Sequence, residues 1–190
     1  MATIVLLVVL ALLVLWLVGT YNRLVGLKNQ VLNAWKQIDV QLKRRHDLIP
    51  KLVTTVKGAM DFERSTLEAV IAARNRAVGA TGVRETARAE GELTQALGRL
   101  FALTENYPEL KANQNVLQLQ EELTSTENRI GFARQLYNDV ATQYNTKQMQ
   151  FPTNLVAGLA KATPAELWEI EDGSERAVPT VDLSLNKPGT

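Results

Sequence analysis

The chain contains no cysteine. That excludes disulfides, thiolate metal sites, thiol catalysis and a lipid-modified N-terminal cysteine. Histidine occurs once, at His46, and one histidine without cysteine makes a poor transition-metal site. Excess charge is missing as well. With 21 Lys and Arg against 20 Asp and Glu, nothing points to nucleic acid as a partner. The chain has no G-x-x-x-x-G-K-[ST], no H-E-x-x-H and no G-x-S-x-G, and no calcium-loop spacing organises its acids. The expected cofactors, metal ligands and catalytic residues are therefore none.

Charge is also absent from the first 22 residues, and there the absence is informative. In MATIVLLVVLALLVLWLVG only Thr3 is polar between Ala2 and Val18. A helix from Ala2 to Tyr21 spans roughly 30 Å, about the hydrocarbon thickness of a bilayer. Trp16 and Tyr21 suit an interfacial position. A cleaved signal peptide is the competing reading. It would carry a positive start, a shorter apolar run and small residues at the cleavage site. No Lys or Arg precedes the run and its end, LWLVGTYN, has no A-x-A-like site, so residues 1–20 are expected to be a retained membrane anchor. Arg23, Lys28 and Lys36 follow the span, which places the body in the cytoplasm and the N-terminus outside by the positive-inside rule.

The body, residues 21–152, keeps helical rhythm. Leu24, Val31, Trp35, Ile38, Leu42, Ile49, Leu52 and Val56 advance in steps of three and four, interrupted by Lys28 and Arg45. Gly58 is a weak point, and the stripe resumes with Leu67, Val70, Ile71, Arg74, Ala77 and Val78. Gly79–Gly82 reads as a break. A second helix is expected over about Arg84–Glu105, then a turn forced by Tyr107-Pro108. A long third helix should run from there to Phe151-Pro152, about forty residues or roughly 60 Å. No stretch alternates like a strand. The fold class expected is all-α: an N-terminal transmembrane helix followed by a long-helix antiparallel bundle. The tail, residues 153–190, carries three basic residues against six acids, with Pro164, Pro179 and Pro188. It reads as largely disordered apart from an apolar knot at Leu167, Trp168 and Ile170 that could dock on the body or a partner.

The densest polar stretch is KRRHD, Lys43 to Asp47, followed by Pro50. A lipid-headgroup role meets a distance problem. Lys43 lies about 24 residues past Gly19, roughly 36 Å along a helix, whereas surface potential decays over about 8 Å. A structural role remains. Arg45 continues the seam and needs a buried partner, and TENRI supplies Glu127, Asn128 and Arg129 on the third helix. The expectation is that Arg44 or Arg45 pairs with Glu127, and that Pro50 kinks the first helix. Lys43 and Arg44 read equally well as a solvated face. Glu121, Glu122 and Glu127 have no nucleophile or phosphate loop beside them in sequence and read as charged helix surface. The Asn/Gln-rich run from Asn113 to Asn145 fits either hydrogen bonding between helices or solvation.

Several blocks together resemble the LemA family of bacterial membrane proteins. They are YNRLVGLKNQVLNAWKQIDVQLKRRHDLIPKLVTTVKG, LEAVIAARNRA, and NYPELKANQNVLQLQEELTSTENRIGFARQLYNDVATQYN followed by FP. RR-x-DLIP and TENRI are the specific elements. Ala59-Met60 stands where the family often has an aromatic after VKG. The resemblance implies a transmembrane helix with a helical bundle, no catalytic residues to carry over, and a scaffold or adaptor role. Some family members carry a lipoprotein signal instead of the span, which leaves an extracytoplasmic body as the alternative orientation. Leu167-Trp168-Glu169 and Val178 to Asp182 resemble family C-terminal ends.

The expectation is therefore a non-enzymatic scaffold, held in the bilayer through residues 1–20, that binds an unknown protein partner or forms a homo-oligomer. Arg44, Arg45, Asp47, Glu127, Asn128, Arg129 and Trp168 are its candidate structural and interaction residues. The rivals are a metal-dependent hydrolase using bundle carboxylates and a module that lies on anionic lipid.

Overall fold

The apolar N-terminal run and the seam behind it share one helical period, and no Gly-Pro break separates them. They join accordingly. In the computed structural model, which describes residues 1–60 and 63–169, α1 (Ala2–Lys57) is one uninterrupted helix of 56 residues. It is followed by α2 (Arg64–Gly79), α3 (Val83–Thr104), the single turn α4 (Pro108–Lys111), α5 (Gln114–Met149) and α6 (Thr153–Leu159). Among the described residues there is no strand. The fold is all-α.

The first part of α1 is exposed all round, and it is the one helix among the described residues long and apolar enough to cross a membrane. From Leu24 onward α1 buries a stripe against α5. The two run antiparallel. Trp35 meets Tyr137 edge-on, and ten residues further along α1 Arg45 meets Glu127, ten residues back along α5. Two apolar clusters share this pair. One joins Leu24–Leu42 of α1 to Ile130–Tyr144 of α5, α6 and Trp168. The other joins Leu48–Val56 of α1 to the α2–α3 hairpin, Leu110, Val116 and Leu123.

Local chemistry sets the boundaries. α1 ends at Lys57, just before Gly58. The α2–α3 turn ends at Gly82, whose φ of 83° and ψ of 167° belong to a region that glycine alone adopts readily. Pro108 opens α4 at its first position, where the missing N–H costs no helix bond. Asn113 caps α5: its Oδ1 accepts from the N–H of Asn115 at 2.9 Å and of Val116 at 3.4 Å.

The third long helix therefore starts later than expected, because proline closes one turn and asparagine begins another. The first residue of the amide-rich run is a cap and not part of a helix face. Lys28 does not interrupt the seam: it is exposed, and Leu27 takes the buried place. α1 is continuous through Pro50, with no break in the helix there. The tail departs from its composition as far as residue 169. Thr153–Leu159 is helical, because Val156 and Ala157 bury against the α1–α5 pair, and Trp168 is buried. Ile170 and the Val178–Asp182 segment lie outside the described residues.

Candidate interaction site

Arg45 and His46 are buried neighbours on α1, 3% and 9% exposed. A buried guanidinium needs acceptors around its whole fork. α3 supplies them. Arg45 Nη1 donates to Glu90 Oε2 at 3.1 Å, and Nη2 donates to Thr94 Oγ1 at 2.7 Å. Glu90 is itself 3% exposed, and its other oxygen lies 2.6 Å from His46 Nε2. Glu127 of α5 reaches the same nitrogen, its Oε2 3.0 Å from Arg45 Nη1. That contact lacks hydrogen-bond alignment; the contacting oxygen is buried, but the Glu127 side chain as a whole is 39% exposed, so its attraction is coulombic and its charge is partly solvated. The cluster ties α1, α3 and α5 together between the two apolar clusters.

Pro50 creates a second tie. In an α-helix the N–H of residue 50 would serve the carbonyl of residue 46, and proline has no N–H. The His46 carbonyl is thereby freed. Arg74 Nε of α2 donates to it at 2.9 Å. The proline thus makes an acceptor, and the neighbouring helix fills it with a cation.

The other sequence candidates are dispersed. Arg44 and Asn128 are exposed. Asp47 is exposed at a shallow cleft shared with His46, Asp39, Arg74 and Thr86, and burial raises the Asp39 carboxyl above its ordinary value. Arg129 is exposed on a groove of about 450 Å³ between α1 and α5, beside Lys36, Val40, Phe132 and Leu136. Phe132 is 73% exposed there. Among the described residues, no three of His, Cys, Asp and Glu converge as a metal cluster.

Trp168 is 4% exposed, within the apolar cluster formed by Leu24–Leu42, Ile130–Tyr144 and α6. Its ring packs on Trp35, centroids 6.0 Å apart, and the Arg134 guanidinium carbon lies 5.8 Å from its centroid. The segment that carries it is held through its backbone. Asn138 Nδ2 donates to the Trp168 carbonyl at 3.0 Å, and the Trp168 N–H donates to Asn138 Oδ1 at 2.8 Å. Asn145 does the same for Ala165, at 2.8 Å in both directions. Between them, the Tyr137 hydroxyl donates to the Glu166 carbonyl at 2.7 Å. Burial pushes the Tyr137 phenol above its ordinary value, and the Glu166 carboxylate adds to the shift.

Sequence reading missed Glu90, Thr94, Asn138 and Asn145 as partners. Glu90 had a visible signal: it sits three residues before Leu93 and seven before Leu97, both buried on α3. The seven-residue spacing of Asn138 and Asn145 was visible too, but nothing in it named the segment they bind.

A family model described as the LemA family matches residues 34–183. The chain belongs to the LemA family. The matched span covers the polar cluster, the asparagine pair and the Trp168 segment, and it includes residues 170–183. "Protein LemA" of Metamycoplasma hominis is 32% identical over 142 residues, covering 74% of this chain and 64% of that protein. Two magnetosome proteins of Paramagnetospirillum magneticum, MamQ 1 and MamQ 2, are each 30% identical over 95 residues, covering 50% of this chain and 35% of theirs. The chain thus spans less than two thirds of the length of these relatives.

Proposed function

We propose that this LemA-family chain is a membrane-anchored helical adaptor, without catalysis of its own, that holds proteins or further copies of itself at a bacterial inner membrane. The single observation that carries this reading is the continuity of α1. The same helix that exposes an apolar segment on all sides goes on to form half of the α1–α5 seam. A helix exposed all round in apolar residues needs lipid, while one apolar on a stripe needs other helices. Joined without a break, they couple the bundle rigidly to the bilayer. The family match and the similarity to a magnetosome protein fit a membrane-associated role.

The reading places the body in the cytoplasm, since Arg23, Lys28 and Lys36 are the first charges after the span and are all exposed. Protease treatment of intact spheroplasts tests this with a C-terminal tag: protection until lysis supports it, and digestion in intact cells moves the body to the envelope side. The adaptor role is tested by affinity capture from membranes with light scattering of the detergent-purified chain. Recovery of defined partners or an oligomer is the expected result. A bare monomer without partners contradicts it.

A further inference from the structure

The asparagine pair on α5 is a peptide-backbone receptor, and its geometry shows what it takes. Asn138 and Asn145 are seven residues apart, roughly 10.5 Å along a helix. Ala165 and Trp168 are three residues apart, roughly 10 Å along an extended chain. The two spacings agree, so each asparagine meets one residue of the strap in register. Each satisfies both the N–H and the carbonyl of that residue, as a neighbouring β-strand would. These contacts ignore side-chain identity. Glu166 and Leu167 point to solvent, and specificity falls to the Trp168 ring in its pocket of Trp35 and Arg134.

We propose that this groove is an exchangeable peptide site, and that the residue 165–168 strap of a second copy can take the place the chain's own strap fills. The inference rests on the adaptor reading and names one partner and one site for it. The second copy is the favoured occupant because its strap is the one sequence shown to fit, residue for residue. The hinge that precedes the strap also favours exchange. α6 ends with Lys161 at φ 48°, a left-handed conformation that is strained for a residue with a side chain and is usually given to glycine at this helix position. Straightening the hinge removes that strain in exchange for two cap hydrogen bonds that water can replace: the Lys161 N–H donates to the Gly158 carbonyl at 3.1 Å and the Ala162 N–H to the Ala157 carbonyl at 3.0 Å. A mutual exchange re-forms every strap contact in the partner. Anchoring in one membrane raises the local concentration of copies, which lowers the entropic cost of pairing.

Two full-length variants in lipid nanodiscs or detergent separate this from other association. One is groove-dead, Asn138→Ala with Asn145→Ala. The other is strap-dead, Ala165→Pro with Trp168→Ala, which removes one N–H and the anchor ring. Carrying different tags, the two complement each other, since one offers a strap and the other a groove. The expected result is co-capture of this mixed pair at about tenfold or more over two groove-dead chains, the scale set by losing several hydrogen bonds. A peptide of residues 162–169 should dissociate the mixed pair. Helical circular dichroism and the thermal midpoint confirm that each variant is folded; the milder Asn138→Asp with Asn145→Asp, which keeps acceptors but loses donors, replaces an unfolded groove-dead chain, and Trp168→Ala alone replaces an unfolded strap-dead chain. Equal co-capture in every pairing overturns the exchange while leaving the adaptor reading intact, because copies then meet elsewhere. No co-capture of the mixed pair from folded chains overturns it too. Partner capture by the native chain tests the broader reading separately.

Discussion

Arg45 carries its charge into a helix seam otherwise lined by Leu42, Ile49 and Leu52, so its partners determine whether that charge is tolerable. The two carboxylates differ. Glu90 is buried and aligned, and Glu127 is part-exposed and unaligned. Arg45→Ala should therefore cost about 3–5 kcal/mol in chemical denaturation, the usual result of stranding a buried charge. In double-mutant cycles the Arg45–Glu90 coupling should exceed that of Arg45–Glu127, which should stay near 1 kcal/mol or less. The reverse order would mean that α5, not α3, answers the cation. A sequence argument could reach Glu127 because TENRI draws the eye. It passed over Glu90 because a lone glutamate in a helix is usually solvated, and only the seam position says otherwise.

Two further residues can be tested singly. Arg74 serves the carbonyl that Pro50 leaves free, so its worth should depend on the proline. Arg74→Ala is expected to cost about 1.5–3 kcal/mol with Pro50 present, as a charged donor to a part-buried carbonyl does, and clearly less beside Pro50→Ala. Equal costs in both backgrounds would detach the two residues. Tyr137 links protonation to the strap. Its folded value is raised above the unfolded value of 10.0, so its contribution is fully present below that pH and is lost as pH rises through the folded value. Burial raises the Tyr144 phenol too, so tyrosinate absorbance should show two late-titrating phenols, and Trp168 emission should shift red as Tyr137 ionises. Tyr137→Phe, which loses a bond worth about 1 kcal/mol, should loosen the strap at neutral pH and leave Tyr144 as the late-titrating phenol, with no red shift of Trp168 coupled to it.

At the scale of elements, the long helices were legible because their apolar spacing is regular, and the break at Gly79–Gly82 was legible because glycine clusters end helices. The start of α5 was not. Tyr107-Pro108 and Asn113 are both helix starts, and period alone does not choose between them. The cap decides: Asn113→Ala should destabilise by about 1 kcal/mol, while Asn115→Ala, without that hydrogen bond, should be near neutral. Gly82→Ala should cost about 1–3 kcal/mol despite open space around it, since the backbone conformation and not crowding is the obstacle. The strap was the least legible element. Composition favoured disorder after Thr153, and a segment held by backbone hydrogen bonds leaves little trace in its own sequence. The apolar knot of Leu167, Trp168 and Ile170 marked it as a segment that could dock on the body or on a partner, without naming the place.

At the scale of the whole molecule, α1 joins the apolar segment and the bundle in one helix, which is what the proposed anchoring rests on. An unbroken helix places Asp47 about 28 residues beyond Gly19, roughly 42 Å along the axis. With residues 1–20 in the bilayer as proposed, the KRRHD end of the bundle stands off the lipid, while the end at Leu24 lies close to it. The absence of cysteine makes this measurable, since a single introduced thiol takes a label at one place. The decisive measurement is quenching of a fluorophore on Asp47→Cys by headgroup-attached quenchers in nanodiscs, with Thr20→Cys as the membrane-level reference. The account predicts strong quenching at position 20 and none above background at position 47, at low and high salt alike. Comparable quenching at both positions, relieved by salt, would contradict it and lay the bundle on the membrane surface.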